Sequence, residues 1–151
     1  MTERNIRGFA IRTDLVYDLT SHLWIDASDP DRVRIGMDPL GVETSGTLAQ
    51  LAFANVGTTL RRGDQFGSLE AEKFVGGLST PLSGTVLARN ENAVGDPALT
   101  QHDPYGGGWF IEVAPSDLDG ELASLLDDAE EIAAAFETKI AEYRIQGVLA
   151  E

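Results

Sequence analysis

Gly63-Asp64-Gln65-Phe66-Gly67-Ser68-Leu69-Glu70-Ala71-Glu72-Lys73-Phe74-Val75-Gly76-Gly77-Leu78-Ser79-Thr80-Pro81-Leu82-Ser83-Gly84-Thr85-Val86 is the stretch that decides how this chain reads. Two runs with strand character flank a short polar segment, and Lys73 stands at its tip. Lys73 and Lys139 are the two lysines among eleven basic residues, so a lysine on a turn is not background here. A primary amine at such a tip can be acylated. The amide removes the charge and leaves a long tether on a fixed turn.

Outward from this segment, composition narrows the function classes. A chain of 151 residues allows one domain with a core large enough to fold without staples. No apolar run is long enough to cross a membrane, and Met1 to Ala10 lack the apolar stretch of a signal peptide, so a cytoplasmic protein is expected. The absence of cysteine excludes disulfides, thiolate metal sites and a cysteine nucleophile. Any thiol chemistry must come from a cofactor. A formal charge of −14 argues against nucleic acid and anionic membrane, and favours docking on basic partner surfaces.

The rest of the chain reads as mainly β. His22-Leu23-Trp24-Ile25-Asp26 and the alternating Arg32-Val33-Arg34-Ile35-Gly36-Met37 predict a hairpin closed at Ser28-Asp29-Pro30-Asp31. Ser45-Gly46-Thr47-Leu48 recurs as Ser83-Gly84-Thr85-Val86, and Val56-Gly57 recurs as Val94-Gly95 at the same offset, which suits a β-structure of two similar halves. In Gly108-Trp109-Phe110-Ile111-Glu112-Val113, alternation puts Trp109, Ile111 and Val113 on one face, so Trp109, like Trp24, is expected in the core. Ser116-Asp117-Leu118-Asp119 suggests a capping box. Leu122, Leu125, Leu126, Ala129, Ile132, Ala133, Phe136, Ile140 and Tyr143 then follow at helical spacing, predicting a helix, in one piece or two, that packs on the sheet. His22 and His102 are too few and too far apart for a metal pair, and no Asp or Glu spacing singles out an acid–base pair.

The hairpin resembles biotinyl and lipoyl carrier domains, and an acidic Glu72 before the lysine suits the lipoyl kind. A second motif is more specific. Asn90-Glu91-Asn92, Asp96-Pro97-Ala98-Leu99 and Asp103-Pro104-Tyr105-Gly106-Gly107-Gly108-Trp109 follow the hairpin in the order found in the glycine cleavage system H-protein family. Tyr17, His22-Leu23-Trp24, Ile35-Gly36, Val56-Gly57, Arg62-Gly63-Asp64, Pro115-Ser116-Asp117 and Leu125-Leu126-Asp127 extend the resemblance over about residues 15 to 127 in one register.

That resemblance implies a barrel-sandwich hybrid with short helices and a C-terminal helix. With the residue pattern outside it, the chain is expected to divide into an N-terminal arm over 1–13, a lipoyl carrier domain over 14–126 and a C-terminal helical extension over 127–151. It implies lipoate in amide linkage to Lys73, with Glu70, Glu72 and Phe74 as candidates for recognition by a ligase or client. The chain would be a shuttle and a substrate for other enzymes, not a catalyst. The implied partners are a lipoate–protein ligase or lipoyl transferase, client enzymes and dihydrolipoamide dehydrogenase. The sequence departs from the family at Leu23, where Glu is usual, and at Glu70-Ala71-Glu72-Lys73-Phe74 with the Val75-Gly76-Gly77-Leu78 return. These departures resemble a divergent lipoate-binding branch, so the expectation leans to a heterodisulfide-reductase-like complex of sulfur oxidation as client. The alternatives are the aminomethyl carrier of glycine cleavage, working with glycine decarboxylase and aminomethyltransferase, and an interaction module that carries no lipoate.

Overall fold

The computed structural model describes residues 2–149. Its strands form three antiparallel sheets. The largest contains β3 (Val16–Asp18), β4 (Leu23–Asp26), β5 (Val33–Met37), β7 (Thr59–Leu60), β10 (Gly84–Arg89) and β11 (Ile111–Pro115), in the order β3-β4-β5-β11-β10-β7. A second sheet runs β6-β8-β9, with β6 at Leu48–Phe53, β8 at Gln65–Ala71 and β9 at Val75–Ser79. The third is the hairpin of β1 (Glu3–Ile6) and β2 (Phe9–Arg12). Short helices α1 (Pro39–Ser45), α2 (Glu91–Gly95), α3 (Ala98–His102) and α4 (Leu118–Leu122) join the strands, and α5 (Ala129–Ile145) ends the fold. The expected mainly β barrel-sandwich with a C-terminal helix is what the chain adopts.

Strand alternation divides the interior in two. Leu23 and Ile25 on β4 face the main core between the two larger sheets, whereas Trp24 faces a second core under α5. Buried on both faces, β4 opens on the apolar run Leu23-Trp24-Ile25 before the half-buried Asp26. Trp24 fits because its cross-strand partner is Gly36, where a Cβ would run into the indole. The main core is centred on Phe53, Phe66 and Phe110, with ring centroids 5.0 to 6.4 Å apart. The second core gathers Ile6 and Ile11 from the hairpin with Ile132, Phe136 and Ile140 from α5. The predicted helix is thus two helices, and of its stripe Ile132, Phe136 and Ile140 are buried while the rest is half-buried.

Three expectations are corrected. Trp109 is half-buried, stacked under the Arg34 guanidinium 4.6 Å away, and Phe110 takes the core position. Trp109 precedes β11, at the end of the Gly106-Gly107-Gly108 loop, so strand alternation does not set its direction. The capping box does not form. Asp117 is the N-cap of α4 without a side-chain bond, and Glu121 instead accepts from the Ser83 amide and hydroxyl, both at 2.7 Å. The second pair of the repeat also diverges, with Val56-Gly57 in a turn and Val94-Gly95 in α2.

Candidate functional site

Lys73 lies at the end of the β8–β9 hairpin, where Glu70 pairs with Val75 and the Ala71 amide donates to the Phe74 carbonyl at 2.8 Å. Glu72 and Lys73 are therefore the two tip residues. Their amides do not face water. The Glu72 N–H donates to the Thr47 carbonyl at 2.9 Å, and the Lys73 N–H donates to the Ser45 carbonyl at 2.8 Å. The segment that receives them turns at Gly46, whose φ of +76° lies in the left-handed region that glycine adopts without strain. It is held from behind by Gln101 of α3. The Gln101 carboxamide donates to the Gly46 carbonyl at 3.0 Å and accepts from the Leu48 amide at 2.9 Å. The backbone under the lysine is thus fixed by three elements, while the lysine side chain projects into solvent. None of the ion pairs among the described residues involves Lys73. Its amine is presented and uncommitted, as acylation requires.

The neighbouring candidates separate in role. The Glu72 carboxylate accepts from the Thr47 amide at 3.3 Å, which makes it part of the bracket. Glu70 is exposed and has no such bond. The Phe74 ring lies over Gly76, where a Cβ would stand 2.9 Å from it, yet Phe74 stays 43% exposed beside the lysine. It is a packed turn aromatic that keeps one face open. Leu23, one of the departures that suggested a different client, is fully buried in the main core. The second lysine, Lys139, is half-buried on α5 with its ammonium 5.7 Å from the Tyr143 ring centroid.

A cavity of about 670 Å³ adjoins the tip, and Lys73 is one of its lining residues. Met37, Leu78, Pro81 and Val148 give it apolar wall, and His22, Ser21 and Arg62 give it polar groups. That mixture suits a group with a hydrocarbon stem. The Ser21 hydroxyl is buried without a hydrogen-bond partner among the described residues. His22 is a residue that sequence reasoning set aside as structural or surface. It holds a positive φ of 57°, and its ring spans Asp38 and Tyr143 at 3.3 and 2.8 Å. No local pattern announces that contact, because Tyr143 arrives from the far end of the chain.

The second motif is structural. Asn90 donates to the Gly107 and Trp109 carbonyls, both at 2.8 Å, and accepts from the Ala93 amide. Asp103 accepts from the Gly107 amide at 2.9 Å, and Thr100 donates to the Gly108 carbonyl at 2.8 Å. The Pro104 carbonyl accepts from the Trp24 indole at 3.0 Å. Tyr105 and Tyr17 share a 2.8 Å contact, closed into a ring by the Arg12 backbone, which accepts from Tyr17 and donates to Tyr105. Burial pushes the Tyr105 phenol up to about 12, and burial pushes Tyr17 up further.

Known proteins resemble this chain in sequence and fold. Residues 15–139 match the family model for the glycine cleavage H-protein. A glycine cleavage system H protein of Mycobacterium leprae is 40% identical over 120 residues, covering 78% of this chain and 90% of the relative. One from Gloeobacter violaceus is 42% identical over 112 residues, covering 74% and 86%. The crystal structure of a glycine cleavage system H protein from Mycobacterium marinum superposes with a TM-score of 0.72 at 37% identity, over 83% of this chain and 98% of that one.

Proposed function

The chain belongs to the glycine cleavage H-protein family, whose members carry lipoate covalently on a lysine and are not catalysts, and from that premise we propose that Lys73 is the attachment site and that the protein is the aminomethyl carrier of glycine cleavage. The observation that carries the assignment is the tip itself. Of the two lysines, Lys73 combines an exposed, uncommitted amine with a backbone clamped to Ser45 and Thr47.

Lipoate supplies a dithiolane at the end of a tether, a group able to take up a fragment together with two electrons. Everything else is this chain's work. The bracket of Ser45, Gly46, Thr47 and Gln101 keeps the point of attachment from wandering, which lowers the entropy lost when a partner engages it. The adjoining cavity offers apolar wall to a tethered stem and polar groups to its far end. Glu70 and the open face of Phe74 are the side chains a ligase or client meets beside the lysine. A formal charge of −14 steers the carrier toward basic partner surfaces. The partners that fit are a lipoate–protein ligase or lipoyl transferase, a pyridoxal-phosphate glycine decarboxylase, a folate-dependent aminomethyltransferase and dihydrolipoamide dehydrogenase.

The lean toward a sulfur-oxidation client loses its footing. Of the departures that suggested it, Leu23 is inside the core and Glu72 is bonded to Thr47, so neither is a free docking group. The relatives named above are glycine cleavage H proteins, and a heterodisulfide-reductase-like partner has no support among them.

Co-expression with a lipoate ligase tests the site, and glycine–bicarbonate exchange with a standard decarboxylase tests the client. We expect one lipoyl mass on the peptide containing Lys73 and exchange at a rate comparable to an ordinary H protein. Modification at Lys139, or an unmodified chain despite ligase and lipoate, overturns the site. Correct modification without exchange overturns the client.

A further inference from the structure

Nine arginines serve a chain whose formal charge is −14, and seven of them are spent within it. Arg4, Arg7, Arg12, Arg32, Arg34 and Arg89 pair with carboxylates, and Arg144 donates to the Arg7 carbonyl. Arg61 and Arg62 are exposed, and their guanidinium groups have no ion-pair or hydrogen-bond partner among the described residues. We propose that this arginine pair is a docking contact for a carboxylate-bearing spot on the decarboxylase that loads the arm, and that it sets the orientation in which Lys73 is presented; the proposal rests on the aminomethyl-carrier reading.

The pair is built as the lysine tip is built, with its backbone tied and its side chains left over. The Arg61 amide donates to the Asp64 carboxylate, the Arg62 amide to the Ser83 hydroxyl and the Gly63 amide to the Thr80 carbonyl, each at 2.8 Å. The Asp64 amide closes the turn on the Arg61 carbonyl at 2.8 Å, and Gly63 supplies the left-handed φ of +91°. The two carboxylates at hand are spent elsewhere, Asp64 on the Arg61 amide and Glu121 on the Ser83 amide and hydroxyl.

The turn also shares a face with the lysine. Arg62 lines the same cavity as Lys73 and Phe74. The seven residues of β8 separate turn from tip, which at ~3.3 Å per residue is a span of about 20 Å. A footprint of about 800 Å² is roughly 30 Å across, so one partner surface reaches both. Two contacts that far apart fix an angle that one contact leaves free. The planar fork of arginine matches a carboxylate in two parallel hydrogen bonds. The surrounding negative charge repels a free anion, so a carboxylate arrives here on a surface that is otherwise basic, the kind the rest of this chain attracts. A partner docked in a rotated pose lays its basic groups on the guanidiniums and is rejected.

The test uses the full lipoylated chain in glycine–bicarbonate exchange with a standard decarboxylase. Wild type is compared with the double variants Arg61→Glu/Arg62→Glu and Arg4→Glu/Arg7→Glu, each checked by intact mass for its lipoyl group. The two variants change the net charge equally, and neither Arg4 nor Arg7 lines the cavity. At low salt Arg61→Glu/Arg62→Glu should raise the KM for the carrier about tenfold with kcat kept, and Arg4→Glu/Arg7→Glu should change it less than twofold. Raising the salt should close most of the gap, since exposed charges are screened. Arg61→Gln/Arg62→Gln should give an intermediate KM, and it keeps the test informative if the charge reversal proves unstable. Equal effects of the two reversals overturn the proposal, because overall steering then accounts for both. An unchanged KM in Arg61→Glu/Arg62→Glu overturns it too, as does a lowered one, which would mean that a basic surface covers the turn. Lipoylated wild type without exchange overturns the aminomethyl-carrier reading, and this inference with it; wild-type exchange with an unaffected Arg61→Glu/Arg62→Glu overturns this inference alone.

Discussion

The tip at Ala71–Phe74 and the loop at Asp103–Trp109 are fixed by opposite means. At the tip, backbone amides do the holding and the Lys73 side chain is left over. The loop is held by side chains: Asn90, Thr100 and Asp103 spend theirs on its carbonyls and amides, and Tyr105 spends its hydroxyl on Tyr17. The loop consequently carries the more recognisable motif, since every residue type in it is needed. The tip holds the proposed attachment site, and its amine is the group the fold does not use. A distinctive motif therefore marks where side chains hold structure, and the proposed functional residue lies outside it.

Four measurements can break that contrast or sharpen it. The largest effect belongs to the core under the loop. Phe110→Ala should cost about 3–5 kcal/mol in denaturant unfolding, and Trp109→Ala less than half as much, because Trp109 is half-buried. Equal losses would return Trp109 to the core. Next comes Asn90→Ala, which leaves the Gly107 and Trp109 carbonyls and the Ala93 amide without a partner. At about 1–3 kcal/mol, it should lower stability while the folded fraction still accepts lipoate at Lys73. A variant that stays fully stable would show the motif serving something other than the loop.

The third effect concerns the tyrosine ring. Folding raises the Tyr105 and Tyr17 pKa values, so both states keep their protons below about 10 and the contribution is fully present there. As pH rises above that point the unfolded chain ionises first. Stability should fall, Tyr105 losing its share through about 12. The slope should approach about 1.4 kcal/mol per pH unit for each tyrosine, and Tyr105→Phe should flatten it in unfolding curves between pH 9 and 11. A slope unchanged by Tyr105→Phe would mean that the ring is not the titrating unit. The smallest effect is at the tip. Lys73→Arg should change stability by less than about 0.5 kcal/mol yet abolish the lipoyl mass. A large loss of stability would mean that the fold uses this side chain after all.

What was legible in the sequence was local. Alternation and turn chemistry revealed the β4–β5 hairpin, the isolated lysine between two strands marked the tip, and the spacing of Ile132, Phe136 and Ile140 announced the face of α5. What was illegible depends on partners distant in sequence. Leu23 looks like a surface departure until β4 is seen buried on both faces. Ser116 and Asp119 spell a cap, but the nearby Glu121 is drawn instead to Ser83. The bracket beneath Lys73 consists of amide–carbonyl bonds, which nearly any residue can make and which therefore leave no spelling to read. The contact of Tyr143 with His22 joins the two ends of the fold and has no local trace.

That bracket also separates position from vocabulary. Because Glu72 and Lys73 hang from Ser45 and Thr47 by their amides, the residues on either side of the lysine can be rewritten without moving it. Proline is the exception, since at either position it removes the donor. The tip behaves as a standard socket. Side chains such as Phe74 and Val75 can be exchanged to suit a different ligase or client, and the amide bonds to Ser45 and Thr47 still hold the lysine backbone in place.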